Sequence, residues 1–78
     1  MHDKLLTFIS ERSGVPKAEL GADDPLFSAG LMDSMAVLEV TAFVERELGA
    51  HFSTADINLD NLDSINRIMS FVDRQRGG

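Results

Sequence analysis

The chain has 78 residues and no cysteine, and its 13 Asp and Glu against 7 Lys and Arg give a formal net charge of −6. A single small domain follows, with a net stability of roughly 3–5 kcal/mol as an upper expectation. Thiolate catalysis, cysteine-bound zinc and disulfides are excluded; nucleic-acid binding, which needs Lys and Arg to displace counterions, is disfavoured against basic protein partners or plain solubility.

His2 to about Ser13 reads as the first helix, with Leu5, Phe8 and Ile9 on one face and Leu6 widening it. Ser13-Gly14 and then Pro16 stop it. Gly14 to Asp33 is a long connection in which Val15, Leu20, Leu26, Phe27 and Leu31 are apolar anchors. Pro16 to Leu20 has the character of one helical turn, and Asp24 before Pro25 favours an extended or turn conformation. Met35 to Leu48 is the second helix, with Val37, Val40, Val44 and Leu48 as the inward stripe and Gly49 as its stop. Met35, Leu38 and Ala42 form a second stripe rotated from the first, either peripheral core or a docking face with Glu39, Glu45 and Arg46.

Beyond it, Phe52 is expected in the core, and Thr54 to Ile57 in a short turn capped by Ser53 or Thr54. Asn58 to Leu62 is irregular or a single turn. Leu62, Ile65, Ile68, Met69 and Val72 give the face of a last helix over about 63–74, bordered by Phe71, with Asp63 and Ser64 as caps. Residues 75–78 are expected to fray. The predicted fold is all-α: a small four-helix bundle of three principal helices and a short one, with a long first loop, in one domain over 1–78.

The stretch Leu26-Phe27-Ser28-Ala29-Gly30-Leu31-Met32-Asp33-Ser34-Met35 organises the rest. Gly30 breaks periodic structure, Asp33 can cap a helix, and Ser34 falls in the first turn, where the dipole and unpaired N–H groups favour a phosphate ester. Gly30 to Met35 resembles the G-x-x-D-S-[LMI] attachment motif of the acyl and peptidyl carrier proteins, and the likeness in length, acidity and helix order covers nearly the whole chain. It implies a 4′-phosphopantetheine arm on Ser34 holding cargo as a thioester, and Asp33 as a neighbour that helps hold Mg²⁺ during modification. The implied docking surface is helix two and the loop before it: Leu31, Met32, Met35, Leu38, Glu39 and Ala42.

The resemblance also implies the partners: a phosphopantetheinyl transferase, an adenylating or acyltransferase loading enzyme, and downstream synthase, condensing or tailoring enzymes. Asp-Ser-Met, with Ala36 where an acidic residue is common in fatty-acid carriers, resembles discrete carriers of polyketide, nonribosomal peptide or antibiotic biosynthesis, or of D-alanylation. An unmodified helical interaction domain is the alternative. The terminal Arg76-Gly77-Gly78 resembles a ubiquitin-like tail, but those proteins are rich in sheet. Asp63-Ser64 lacks a glycine three residues before its aspartate. No nucleophile–base pair stands out in the sequence, so the chain is expected to be a carrier and not an enzyme. His2 and His51 have no ligand spacing, and no metal site is expected. No apolar run nears the ~20 residues of a membrane span, and Leu5 to Ile9 with Glu11 close behind is no signal peptide. A cytoplasmic monomer is expected.

Overall fold

The computed structural model describes residues 2–77, which form helices and loops with no strand among them. Helix α1 spans His2–Ser13, with Asp3 in its first turn and Arg12 in its last, each placed to complement the helix dipole. Leu5 and Ile9 are fully buried, and Leu6 and Phe8 half-buried beside them. A short 3-10 turn, Lys17–Glu19, interrupts the loop that follows.

Helix α2 spans Ser34–Leu48, one residue longer at its start than the sequence predicts. Asp33 fixes that start: its Oδ1 accepts the Ala36 N–H at 3.0 Å. Gly49 ends the helix in the left-handed region at φ 73°, where a side chain would be strained. The buried stripe is Ala36, Val40, Thr41, Val44 and Leu48. Ala36 thus heads the stripe where the sequence reading put Val37. Val37 is half-buried and lines a surface groove instead.

Local capping organises the return segment. Ser53 and Asp56 form a reciprocal capping box around the turn Thr54–Asp56. Asn58 then caps the single-turn helix α3, Leu59–Leu62. Helix α4 covers Ile65–Gly77, and the Ser64 hydroxyl accepts the Arg67 N–H at 3.1 Å in its first turn. The structure carries α4 through Gln75 and Arg76, where fraying is expected from sequence; Gly78 lies outside the described residues. The Gln75 side chain explains the extension, because it accepts the His51 N–H at 2.8 Å and donates to the His51 carbonyl.

Ion pairs and these bonds set the helix directions. Lys4 meets Glu47 at 3.5 Å at one end, and Arg12 meets Asp33 at 3.3 Å at the other, so α1 and α2 run antiparallel. The Gln75–His51 link brings the end of α4 to the end of α2, so these two run parallel. Ile65, Ile68, Phe71 and Val72 from α4 join the stripes of α1 and α2 in one core with Leu20, Leu26, Phe52 and Leu62. Two stacked aromatic pairs support it, Phe8–Phe43 at 4.4 Å and Phe52–Phe71 at 4.5 Å. Phe71, placed at the border of the helix face by periodicity, is drawn into the core by Phe52.

Candidate functional site

Ser34 is the first residue of α2, and it is exposed. Asp33 spends its Oδ1 on the Ala36 N–H of the first turn, and Ser34 beside it is exposed. The turn carries no acidic side chain, so nothing in it opposes a further negative charge beside the helix N-terminus. Gly30 turns the chain into this position with φ 81° and open space around its Cα, and its N–H bonds the Phe27 carbonyl at 3.1 Å.

Arg12 arrives from the end of α1. Its guanidinium bonds Glu39 of α2 and reaches Asp33 Oδ1 at 3.3 Å. The hydrogen bond to Glu39 is the main reason that its pKa lies above the ordinary arginine value, so Arg12 stays cationic beside the start of α2. Both carboxylates nearest the serine on this helix face are therefore partnered by a cation.

The other serines are placed differently, Ser13 among them, whose hydroxyl accepts the Val15 N–H at 3.3 Å at the end of α1. Ser64 is 3 % exposed, and its hydroxyl is committed to capping α4. Ser28 donates to Asp63 Oδ2 at 2.6 Å, and Ser53 to Asp56 Oδ2 at 2.9 Å. Ser10 donates to the Val15 carbonyl at 2.6 Å. Ser70 is exposed but lies mid-way along α4, where backbone N–H groups are used by the helix itself.

Of the residues expected to dock partners, Met35 is 63 % exposed, Leu38 59 % and Leu31 38 %, with Glu39 and Ala42 also exposed. Leu31 is thus not the buried anchor that the sequence also suggested. Met32 is a correction as well: it is 4 % exposed and belongs to the core, because its N–H bonds the Leu26 carbonyl at 3.1 Å and folds the loop inward. Sequence reasoning missed Ile57 and Leu59, which are large, apolar and exposed. With Phe27, Val37, Asn58 and Leu62 they line an apolar groove of about 210 Å³. The signal was available in Leu59, an apolar residue at the start of a helix too short to bury it.

Asp63 is the other residue whose role differs from expectation. Its side chain does not cap α4. Oδ1 accepts the N–H groups of Leu26, Phe27 and Ser28 at 3.1, 2.7 and 3.0 Å, and Oδ2 accepts the Ser28 hydroxyl. Three successive N–H groups converging on one oxygen make a small anion nest. Burial pushes the Asp63 carboxyl up, but the Ser28 hydroxyl and the three N–H groups outweigh it, and its pKa falls below the usual carboxylate value.

Among the described residues, no group of three His, Asp or Glu stands close enough to hold a metal ion, and no helix is long and apolar enough to cross a membrane. An exposed serine at a helix start, with no first-turn acid and a cation beside its aspartate, fits a covalent phosphate ester. The family model for the phosphopantetheine attachment site matches residues 3–72. Among curated protein sequences, none matches the chain. The match spans α1, the loop, α2 and most of α4, and with the all-helical bundle it shows that the chain belongs to the phosphopantetheine attachment-site family, the carriers of covalent 4′-phosphopantetheine.

Proposed function

We propose that Ser34 is the attachment serine and that the 78 residues act as one monomeric carrier domain. The observation that carries this reading is the exposed Ser34 hydroxyl at the start of α2, beside a cap that is itself held by Arg12. When bound, the arm supplies a terminal thiol that holds acyl or aminoacyl cargo as a thioester. The protein's own residues supply the handle and its surroundings. The first turn of α2 offers unpaired N–H groups and a positive dipole end to the ester's charge. Asp33, exposed at the junction, is the carboxylate that would help hold Mg²⁺ alongside substrate phosphates during modification. Leu31, Met35, Leu38, Glu39 and Ala42 form the docking face, in which three large apolar side chains sit among a charge and a small residue. Met35 gives that face an adaptable contact suited to several partners.

The partners on this reading are a phosphopantetheinyl transferase, an adenylating or acyltransferase loading enzyme, and downstream synthase, condensing or tailoring enzymes in the cytoplasm. The chain provides no catalysis of its own. Tethering raises the local concentration of cargo at each partner site. The Asp-Ser-Met motif with Ala36 favours polyketide or nonribosomal peptide assembly, including antibiotic pathways, over fatty-acid synthesis, with D-alanyl transfer as the second reading. Intact mass after incubation with a broad-specificity phosphopantetheinyl transferase, coenzyme A and Mg²⁺ tests the site. A gain of one phosphopantetheine, lost in Ser34→Ala and kept in Ser64→Ala, is the expected result. Equal gain in Ser34→Ala would remove the assignment.

A further inference from the structure

The loop before Ser34 is fastened at both of its ends. At the far end, Asp63 gathers the N–H groups of Leu26, Phe27 and Ser28 and the Ser28 hydroxyl, and its own carbonyl accepts the Leu26 N–H at 2.8 Å. Asn66, one turn on, extends the contact: its N–H bonds the Ala22 carbonyl at 2.9 Å and its side chain donates to Asp23 at 2.8 Å. At the near end, Asp33 holds the start of α2. Between them, the Gly30 N–H to Phe27 carbonyl bond and the Met32 N–H to Leu26 carbonyl bond close residues 26–32 into one folded unit. Met32 and Leu26, both buried, plug that unit into the core. Residues 26–28 are therefore joined to Asp33 and Ser34 through a short, hydrogen-bonded run of chain.

We infer that Asp63 is a positioning residue for modification at Ser34, acting from the α3–α4 junction through the clasped loop. The inference rests on Ser34 being the attachment serine. Charge is the reason an aspartate suits the place. A nest of three N–H groups binds an anion more strongly than a neutral carbonyl, and Asp63→Asn keeps the shape while removing the charge. Misplacing a reacting group by a fraction of its working geometry costs rate after binding, not binding itself.

The test is steady-state modification of full-length wild type, Asp63→Asn and Ser28→Ala by the same transferase with coenzyme A and Mg²⁺, paired with amide hydrogen exchange. Asp63→Asn is expected to expose the amides of residues 26–28 to faster exchange while Val40 and Ile68 stay protected. Its kcat at saturating carrier should fall on the order of tenfold. A loss of folded carrier alone would raise KM and leave kcat unchanged. Ser28→Ala, which deletes one of the bonds and threatens the fold least, should lower kcat by a smaller factor. Wild-type kcat in both variants, with the loop amides exchanging faster, would overturn the inference and leave the Ser34 assignment standing. Absence of modification in wild type would overturn the Ser34 assignment, and this inference with it.

Discussion

Two Asp-Ser pairs each stand at the start of an amphipathic helix, and the structure uses them in opposite ways. In the first, Asp33 is the cap and Ser34 the first helical residue, exposed. In the second, Ser64 takes the capping role and is buried, while Asp63 turns away to hold a distant loop. A shift of one residue between dipeptide and helix start separates an exposed first-turn serine from a buried capping one. The difference continues along each helix: the fourth residue after Ser34, Leu38, is 59 % exposed, whereas the fourth after Ser64, Ile68, is fully buried. A dipeptide before a helix therefore carries little meaning until its register against that helix is known.

The strongest way to break the comparison is to delete each hydroxyl. Ser34→Ala should abolish loading by the transferase and keep the fold, since Asp33 still caps α2; loading at the wild-type level would erase the distinction. Next come the residues one turn on. Ile68→Ala should cost about 2–5 kcal/mol in a denaturant titration, the usual range for a large aliphatic side chain in a core. Ser64→Ala should lose about 1 kcal/mol with its cap and still be modified. Leu38→Glu should change stability by no more than about 0.5 kcal/mol yet impair transfer to a partner enzyme. A large thermal destabilisation by Leu38→Glu would place that side chain in the core and remove the docking face.

Acid tests the role of the second aspartate, Asp63, directly. Asp63 has a folded pKa below its unfolded value, so its stabilising contribution is present above about pH 3.9 and is lost as pH falls through the lower folded value. Loop amides 26–28 should lose exchange protection in that window before the core of α4 does. Retained protection in the fully protonated protein would show that the charge of Asp63 is not what holds the loop.

Most of the helical architecture is legible in the sequence because its signals are local. Gly49, Pro16, the Ser53 cap and the periodic faces of α1 and α4 each act over a few residues. The stretch Gly30 to Met35 is legible for the same reason, being contiguous. What could not be read depends on contacts across the chain. Asp63 looks like a cap until the loop 35 residues and more upstream closes on it. Met32 looks available for docking until its backbone bonds Leu26. Val37 and Ala36 compete for the inner face of α2, and the capped start of the helix, with the groove of α3 alongside, decides for the smaller residue. The reach of α4 past Arg74 depends on Gln75 finding His51, which no periodicity encodes.

The most direct test of the comparison is to locate the added group by tandem mass spectrometry of a tryptic digest of wild-type protein after modification. Cleavage after Lys17, Arg46 and Arg67 separates the two pairs, placing Ser34 and Ser64 in different peptides. One phosphopantetheine, with fragment ions that fix it on Ser34 and not on Ser28, is the expected result. The same group fixed by fragment ions on Ser64 would contradict the account, because it would mean that a buried cap had opened to accept what an exposed helix start did not.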